Sequence, residues 1–537
     1  MRIVLLTPAR RFISNRAGLG YQVPLGLVFI GGPLRDAGHE VRIIDNDVKG
    51  WSDERLVEEL ARDVPDCLML GHSGSMAAHP TAMRTAQALR ARFPSLPLVY
   101  GGVYPTFAAV GVLEENPALD VVVRGEGEAT VRELADCLAR GGELRTVKGI
   151  AFRERGRVVS TAPRPPIADL DQFRPGWELV DFDDYPLFGF ARAAGMQFSR
   201  GCANRCSYCG QWAFWKTYRH RSPEAFVAEL ERLACDFKVG FVWLADENFA
   251  GDAPAAHRVL ELLAERRLPL ALNLQMTAAE VVRDEALMPL YKRAGVHNIM
   301  MGIESTNDAV VARVGKDNPL QVSREALRIL RRHDIVSVAN IIYGLEEERP
   351  TSLARTFRRL LQLDPDIVLS CFITPYFWTR FGRELDRGEL IESELSRYTH
   401  RNQIVRAPHL SPWALFFGVK LSDALFHLRP RALWRLVAGG TALTRRLRRR
   451  YFGAGVRASL AELWELVAHR FVKPGTLHSI PGEATAARAE TGRCRDPSDA
   501  MLWRGGQSRV SHDAVDEDPR GPAGAGTTSE VAGRAAG

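Results

Sequence analysis

The chain has 537 residues, of which 46% are hydrophobic and 25% are charged. This is enough apolar material for about three domains of ordinary size, and the composition excludes a collagen, a small disulfide scaffold and a wholly disordered chain. Lys and Arg number 71 against 64 Asp and Glu, a formal net charge of +7. Because so mild an excess is spread over so long a chain, we expect no nucleic-acid partner.

Three of the eight cysteines, Cys202, Cys206 and Cys209, fall close together, and the other five are dispersed. This is not the spacing of a secreted disulfide framework. The N-terminal apolar stretch is too short for a signal peptide, and no uncharged run approaches the roughly 20 residues that span a bilayer. We therefore expect a cytoplasmic protein with a thiolate cluster.

Residues 1–150 alternate short β-rich runs with amphipathic helical stretches, a pattern that predicts a doubly wound parallel sheet. Its predicted strands are Arg2–Thr7, Glu40–Asp45, Cys67–Gly71, Leu98–Gly102 and Val121–Arg124.

Small and Gly-rich turns follow three of these strands, where the carboxyl ends of a parallel sheet bind ligands. Each turn alone is typical of a tight strand-to-helix connection, and three at one edge favour a ligand cleft. The candidate binding residues are Ser73, Gly74, Ser75, Gly101, Gly102, Gly125 and Gly127.

Residues 151–190 show little periodicity and are interpreted as a linker. A second βα series fills residues 191–380, and six such units predict a partial (β/α)6 barrel, so the fold class is α/β in both parts. Its predicted strands are 196–199, 241–244, 270–274, 298–301, 336–342 and 367–370.

Residues 381–475 have a helical pattern rich in Leu, Trp and Arg, including the basic run Arg445–Arg450. That run is compatible with a solvated helix face, or with a patch that binds an anionic ligand or makes peripheral contact with a membrane surface. Residues 476–537 are dominated by Gly, Ala, Arg, Ser, Thr and acidic residues, and are predicted to be a disordered tail.

The sharpest motif is the C-x3-C-x2-C array of Cys202, Cys206 and Cys209, directly after a predicted strand. Zinc would need a fourth ligand at suitable spacing, for which His220 is the nearest candidate. A four-iron cluster held by three thiolates leaves one iron open to a small molecule. Structural zinc, or cysteines packed as small apolar residues, is the alternative.

This array after the first strand of a partial barrel resembles the radical S-adenosylmethionine superfamily. The resemblance implies that Cys202, Cys206 and Cys209 hold a 4Fe-4S cluster, and that S-adenosylmethionine is cleaved there to methionine and a 5′-deoxyadenosyl radical. It also places Tyr208 near the adenine.

Four further residues at strand ends fit the same resemblance. Asp246 and Glu247 stand where the superfamily receives the methionine amino group, Glu304 ends a segment similar to the ribose-contacting one, and Gly344 is placed to approach adenine. For each alone, a helix cap or a surface carboxylate is the ordinary interpretation.

The N-terminal domain resembles the cobalamin-binding domain of the cobalamin-dependent branch, through Gly101, Gly102 and the segment 124–128. The Asp-x-His-x-x-Gly motif that supplies a lower histidine ligand is missing. His72 and His79 lie in the corresponding loop without that context, so the expected state is cobalamin without a protein imidazole ligand.

Within that branch, residues 211–219, 244–247, 282–285 and 344–346 resemble the anaerobic magnesium-protoporphyrin monomethyl ester oxidative cyclases of bacteriochlorophyll biosynthesis. The resemblance implies a tetrapyrrole substrate, oxidation of a propionate side chain with water supplying the ketone oxygen, and an external one-electron reductant such as flavodoxin or ferredoxin. Two interpretations stay open, a cobalamin-dependent C-methyltransferase and a zinc-containing binding module. The aromatics Trp212, Phe214 and Trp215 suit either a flat macrocycle or core packing.

Overall fold

The computed structural model describes residues 1–9, 20–72, 76–468 and 474. Ser73, Gly74 and Ser75 of the candidate cobalamin loops, and the tail at 476–537, lie outside the described residues. In the described part of the chain, the strands form a seven-stranded sheet, a six-stranded sheet and one two-stranded ribbon.

The first sheet has the order β2-β1-β3-β4-β5-β6-β7. Its first five strands are parallel, which confirms the predicted doubly wound sheet, and the last two are antiparallel. Central strands are buried throughout because helices cover both faces. The strands are β1 (Arg2–Thr7), β2 (Glu40–Asp45), β3 (Cys67–Leu70), β4 (Leu98–Tyr100), β5 (Val121–Val123), β6 (Ile150–Glu154) and β7 (Arg157–Ser160).

Successive residues of β1 enter two different cores, as the two-residue period of a strand requires. Val4 and Leu6 pack in one cluster, and Ile3 and Leu5 in the other. The helices that build these cores are α1 (Leu25–Asp36), α2 (Asn46–Lys49), α3 (Asp53–Ala61), α4 (His79–Arg92), α5 (Val103–Glu115) and α6 (Glu128–Ala139).

The segment expected as a linker at 151–190 begins with part of the first sheet. Strand β6 pairs antiparallel with β5, and β7 closes a hairpin on β6. The sheet therefore extends to Ser160, ten residues beyond the boundary expected at 150. The hairpin escaped sequence reasoning because Arg153, Glu154 and Arg157 interrupt its apolar alternation.

The second sheet has the order β15-β14-β13-β12-β11-β8, all parallel, which confirms six barrel strands. The chain leaves β8 at Met196, three residues earlier than predicted, and re-enters an antiparallel pair as β9 with β10. The strands are β8 (Ala193–Met196), β9 (Ser199–Arg200), β10 (Arg219–His220), β11 (Phe241–Leu244), β12 (Ala271–Gln275), β13 (Val296–Glu304), β14 (Val336–Tyr343) and β15 (Ile367–Phe372).

Six helices of the βα series pack on this partial barrel and share its largest apolar cluster. They are α8 (Pro223–Cys235), α9 (Ala253–Arg266), α10 (Ala278–Arg283), α11 (Met288–Arg293), α13 (Leu320–Arg332) and α14 (Pro350–Leu363). Three short helices complete this part of the chain: α7 (Gly210–Trp215), α12 (Asp308–Arg313) and α15 (Arg380–Glu384).

Three helices follow the barrel: α16 (Pro412–His427), α17 (Pro430–Val437) and α18 (Ala442–Ala468). Leu447 and Tyr451 of α18 pack among residues that begin barrel strands, such as Phe241 and Val336, so α18 closes the amino-terminal end of the barrel. In the residues that the structure describes, no helix is both long enough and apolar enough to cross a membrane.

Candidate functional site

The three cysteines of the motif lie in the loop between β9 and α7, beside the carboxyl ends of the barrel strands. All three are half-buried, and burial raises their pKa values, that of Cys209 to about 12. Thiols in such surroundings become thiolates when a positively charged centre compensates them, as an iron–sulfur cluster does. The donor set therefore fits the implied cluster.

Within the described ranges, no group of three or more His, Cys, Asp or Glu side chains converges on one ion position. A four-iron cluster that takes each thiolate on a different iron does not require such convergence.

Asp246 holds the start of the cysteine loop. It is fully buried at the end of β11, and its carboxylate accepts from the backbone N–H of Phe198 (3.1 Å) and of Ser199 (2.5 Å) and from the Ser199 hydroxyl (2.6 Å). These bonds explain why the chain leaves β8 early. Burial raises the pKa of Asp246 to about 6. Both of its oxygens are used on the loop, so its observed contacts are those of a positioning residue.

Glu247, the next residue, lines a large cavity between the two domains and the C-terminal helices. Burial raises its pKa to about 7, and the charge of Asp246 adds to the effect. Its charge also acts on the Cys209 thiol. Glu247 is thus the one of the two expected carboxylates that faces open space, where it could accept from an amino group.

Glu304 lies at the end of β13 with a left-handed backbone, φ +65°, beside a register shift between β13 and β14. The backbone of a non-glycine residue in this conformation is strained, and strained residues cluster at functional sites. The buried side chain of Glu304 forms an ion pair with Lys316. Burial is the main cause that raises the pKa of Tyr208, and the charge of Glu304 raises it further.

Lys316 also counteracts the effect of burial on the pKa of the Cys206 thiol. The structure therefore brings four groups together, Cys206, Tyr208, Glu304 and Lys316. The sequence does not identify Lys316 as a site residue, because a lysine in a Gly-Lys-Asp turn resembles any solvated loop residue.

Gly344 follows β14 with φ +95°, a conformation that favours glycine. Its N–H donates to the Glu348 carboxylate at 3.2 Å, and a Cβ there would come within 2.7 Å of the Ile373 side chain. The following Leu345 packs in one apolar cluster with Tyr208. Gly344 thus lies on the same side of the barrel as the cysteine loop, and its contact with adenine stays a prediction.

The glycine turns of the first sheet surround the opposite wall of the site. Gly101, Gly102, Gly125 and Gly127 all line the large cavity. Gly102 (φ +124°) and Gly125 (φ +78°) have left-handed backbones, and a Cβ on Gly125 would meet no atom within 4 Å. Their backbone groups are therefore open to a ligand, which fits a cobalamin bound at the carboxyl ends of the strands.

The two histidines expected near cobalamin share one hydroxyl. His72 Nε2 lies 2.7 Å from Tyr100 Oη, and His79 Nδ1 lies 3.3 Å from the same oxygen. Burial lowers the pKa of His79 to about 4, and its ring packs on Tyr104. Of the two, only His72 lines the cavity. The expectation of cobalamin without an imidazole ligand stays a prediction.

A single cavity of about 1240 Å³ joins these parts. Its walls come from the glycine turns of the first sheet, from the barrel and from the C-terminal helices. The barrel and the C-terminal region also contribute aromatic and charged residues to the wall, among them Phe214, Trp215, Trp243, His400, Arg401, Phe417, Lys420, Asp423 and Glu462.

An ion-pair network connects the β9–β10 ribbon to the turn after β5, beside this cavity. Arg200 Nη1 lies 2.9 Å from Glu126 Oε2, and its other amino group pairs with Glu128. Arg219 pairs with Glu126 at 2.6 Å, and the Arg200 guanidinium lies 5.1 Å from the centre of the Trp215 ring. Arg200, two residues before Cys202, is thus bound to the Gly-Glu-Gly-Glu turn of the first domain.

Of the three aromatics expected at a macrocycle, Phe214 and Trp215 line the cavity, whereas Trp212 lies under the guanidinium of Arg205. The Trp215 indole N–H interacts with the Glu247 carboxylate, and this contact opposes the rise in the pKa of Glu247 that burial causes.

Charged residues from the C-terminal region form part of the cavity wall. Lys420 lies 2.5 Å from Glu462, and Arg401 pairs with the same carboxylate. Burial opposes ionisation of Glu462, but the two cations more than offset it and its pKa lies below the ordinary value. Two cations share the Glu462 carboxylate, and Asp423 lies on the same wall, so this part of the cavity presents both cations and carboxylates.

Asp423 and His400 lie beside this charged group. Asp423 accepts from the Ser370 hydroxyl at 2.5 Å, and burial raises its pKa to about 6. His400 lines the same wall, and its side chain is exposed. No sequence motif connects these residues, which come together only when α16 and α18 pack on the barrel.

Comparison with known families agrees with the two-domain architecture. The Radical SAM superfamily matches residues 196–360, and the B12 binding domain matches residues 17–135. Among solved structures, the radical S-adenosylmethionine methyltransferase TsrM from Kitasatospora setae, with cobalamin and a 4Fe-4S cluster bound, superposes with a TM-score of 0.66 over 86% of this chain and 99% of that chain. Its sequence identity of 16% shows the fold.

Three relatives are similar over most of their length. The anaerobic magnesium-protoporphyrin IX monomethyl ester cyclase of Synechocystis is 39% identical, over 83% of this chain and 89% of the relative. The protein of the same name from Rubrivivax gelatinosus is 30% identical, over 74% and 77%. The hopanoid C-3 methylase of Methylococcus capsulatus is 28% identical, over 66% and 67%.

The cofactors of this chain are therefore a 4Fe-4S cluster, S-adenosylmethionine and cobalamin. The similarity to the two cyclases spans most of the chain. The chain belongs to the anaerobic magnesium-protoporphyrin IX monomethyl ester cyclase family of cobalamin-dependent radical S-adenosylmethionine enzymes.

Proposed function

We propose that the enzyme carries out the oxidative cyclisation of magnesium-protoporphyrin IX monomethyl ester in bacteriochlorophyll biosynthesis. The observation that carries the proposal is the shared cavity. At about 1240 Å³ it exceeds the roughly 300–1,000 Å³ of an ordinary small-molecule pocket. It therefore offers space for a large substrate together with a cofactor.

The walls of the cavity suit a flat macrocycle with acidic side chains. Phe214, Trp215 and Trp243 provide aromatic surface, on which a conjugated ring stacks favourably. Two cations of the wall, Arg401 and Lys420, are suited to bind a propionate carboxylate. Both features are expected of a site for a tetrapyrrole that keeps one free carboxyl group.

The cluster and S-adenosylmethionine supply, when bound, a carbon-centred radical that removes hydrogen from the substrate. The chain itself supplies orientation and shelter. Asp246 fixes the cysteine loop, Arg200 fixes that loop against the cobalamin domain, and the C-terminal helices close one end of the barrel. These contacts hold the parts of the site around one shared cavity.

The remaining contributors to the reaction are part of the proposal. The Glu247 carboxyl, with its pKa raised to about 7, is placed to exchange a proton with a ligand in the cavity. An external one-electron reductant such as flavodoxin or ferredoxin would reduce the cluster, and we place the enzyme in the cytoplasm.

The test is product analysis with the anaerobically purified, reduced holoenzyme. With the monomethyl ester as substrate, we expect deoxyadenosine and methionine, and no S-adenosylhomocysteine. Omission of the substrate should lower deoxyadenosine formation. Formation of S-adenosylhomocysteine together with a methylated pigment would refute the proposal.

A C-methyltransferase acting on a bacteriochlorophyll precursor or a lipid is the second candidate. The similarity to the hopanoid C-3 methylase supports it, because that relative matches two thirds of this chain. The same product analysis separates the two functions, since methyl transfer by this branch yields S-adenosylhomocysteine and deoxyadenosine together.

A further inference from the structure

Exposed apolar side chains are concentrated on the three C-terminal helices. Of the fifteen large apolar side chains exposed in the described part of the chain, eleven lie on α16, α17 and α18, and a twelfth, Leu428, directly follows α16. We call these twelve the C-terminal apolar face: Phe417, Leu421, Leu425, Leu428, Leu433, Trp434, Val437, Val456, Leu460, Leu463, Trp464 and Val467.

The spacing of these residues places them in stripes. On α16 and at its C-cap they recur at positions 417, 421, 425 and 428, the three- and four-residue intervals that share one helix face. On α18 they recur at 456, 460, 463, 464 and 467 in the same manner. Trp434 and Trp464 are 66% and 60% exposed. Apolar stripes of this size on a soluble surface mark an interaction site.

The charges around the C-terminal apolar face have one sign. Residues 412–468 contain ten Lys and Arg residues and three acidic ones. Glu462 and Glu465 are buried, and Asp423 is half-buried and bonded to Ser370. Arg431, Arg449, Arg450 and Arg457 are exposed. The surface of these helices therefore carries apolar and cationic groups and no exposed carboxylate.

The C-terminal apolar face is continuous with the wall of the large cavity. Phe417, Leu428, Val456 and Leu463 belong to both, since each is part of the apolar face and also lines the cavity. The cavity is open to solvent, and its wall passes into the apolar face at these residues. A ligand that leaves the cavity there passes over apolar side chains.

We propose that the C-terminal apolar face docks on the surface of an anionic lipid bilayer, so that the cavity opens toward the lipid. Amphipathic helices with Trp and Leu on one side and Arg nearby bind such surfaces by burying apolar area and attracting anionic headgroups. The docking itself does not depend on the reaction. Entry of a lipid-dissolved substrate through this opening rests on the proposed function.

Charge favours lipid over a second copy of the chain. Two copies paired through this face would bring exposed arginines of equal sign together, which opposes association. An anionic bilayer supplies the opposite charge along with an apolar interior. A dimer, or coverage of the face by residues 475–537, is an outcome that the following experiment detects.

The experiment is co-sedimentation of the full-length holoenzyme with vesicles of phosphatidylcholine alone or of phosphatidylcholine containing phosphatidylglycerol. We expect binding to the anionic vesicles that weakens as salt is raised. The double variant L421D/L460D should bind the anionic vesicles at least about tenfold more weakly than the wild type. The matched control V64D/L361D changes two exposed apolar residues elsewhere and should bind as the wild type does.

Three results would overturn the proposal. One is absence of binding to anionic vesicles by the full-length chain, as coverage by residues 475–537 would cause. Another is equal loss of binding in the control variant. The third is a dimer in size-exclusion chromatography that L421D/L460D converts to monomer. Deoxyadenosine formation without vesicles should be the same in wild type and L421D/L460D, which separates failure of docking from failure of the reaction.

Discussion

Arg200, two residues before the first cluster cysteine, lies with Nη1 2.9 Å from Oε2 of Glu126 in the cobalamin domain. The arginine is only 5% exposed and also pairs with Glu128. A single side chain thus sets the cysteine loop against the turn that lines the cobalamin side of the cavity. Since both cofactors must serve one substrate, the position of Arg200 links the geometry of the two halves of the site.

Replacing Arg200 by Met should destabilise the protein strongly. The change leaves Glu126 and Glu128 buried without this partner, which costs about 3–5 kcal/mol when one member of a buried pair is lost. Urea unfolding followed by circular dichroism measures the effect. The R200M/E128Q variant should recover part of the loss, because one uncompensated charge is removed.

The matched control is Arg145→Met, which breaks the ion pair with Glu154 on the exposed surface. Surface pairs of this kind contribute little, so no measurable change is expected. Equal losses in R145M and R200M would contradict a special role for the connection between the domains.

Cys206→Ala should abolish deoxyadenosine formation while cobalamin binding stays near normal. The thiol belongs to the cysteine loop, whereas the cobalamin wall is built by the first sheet. Iron and sulfide analysis together with the visible spectrum of cobalamin checks both parts. The control is Cys235→Ala, which removes an exposed cysteine. Retained cleavage of S-adenosylmethionine in C206A would refute the cluster assignment.

Glu304→Gln should weaken S-adenosylmethionine binding about tenfold, as expected for loss of one charged hydrogen-bond acceptor. The substitution keeps the size of the side chain but removes the charge that pairs with Lys316. Equilibrium dialysis with labelled S-adenosylmethionine measures the dissociation constant, and iron content reports whether the cluster is intact. The control is Glu325→Gln on the outer helix α13. An unchanged dissociation constant in E304Q would exclude Glu304 from the cofactor site.

Lys420→Met should raise the KM for the monomethyl ester by about tenfold or more while kcat changes little, because a charged contact to a carboxylate is lost. A dimethyl ester analogue has no free carboxylate and should show the same KM with both proteins. Steady-state kinetics on the two esters test this directly, with Lys148→Met as an exposed control. Equal changes on both esters would show that Lys420 does not recognise the carboxylate.

Asp423→Asn should alter how stability depends on pH. Burial raises the pKa of Asp423 from its ordinary 3.8 to about 6, so the folded protein holds a proton between these values that the unfolded chain has released. Stability conferred by this group therefore falls as pH rises from about 4 through 6. Urea midpoints across that range should fall less steeply in D423N. An identical slope in both proteins would contradict the raised pKa.

The fold was predictable because it depends on local patterns, and the assignment of Cys202, Cys206 and Cys209 as cluster ligands stays a prediction from one such pattern. Strands such as Phe241–Leu244 are short apolar runs between helical windows, and the cysteine spacing lies within one loop. Two boundaries were missed for a physical reason. Asp246 draws the chain out of β8 early, and the hairpin β6–β7 carries charged residues on its open face.

Much of the site depends on tertiary contacts that sequence patterns do not contain. Lys316 reaches Glu304 across twelve residues, and Lys420 meets Glu462 only through the packing of α16 and α18. Arg200 is close to the cysteine motif in the sequence, but its partner Glu126 lies 74 residues away. Such pairs form only when the chain folds, and no local sequence pattern predicts them.

The most direct test of the central claim is isotope labelling of the pigment product. The reduced holoenzyme is incubated with S-adenosylmethionine and magnesium-protoporphyrin IX monomethyl ester in water enriched with oxygen-18, and the product is analysed by mass spectrometry. Oxidative cyclisation predicts a pigment with a fifth ring that carries one labelled ketone oxygen. A pigment without the label that has gained a methyl group would contradict the account.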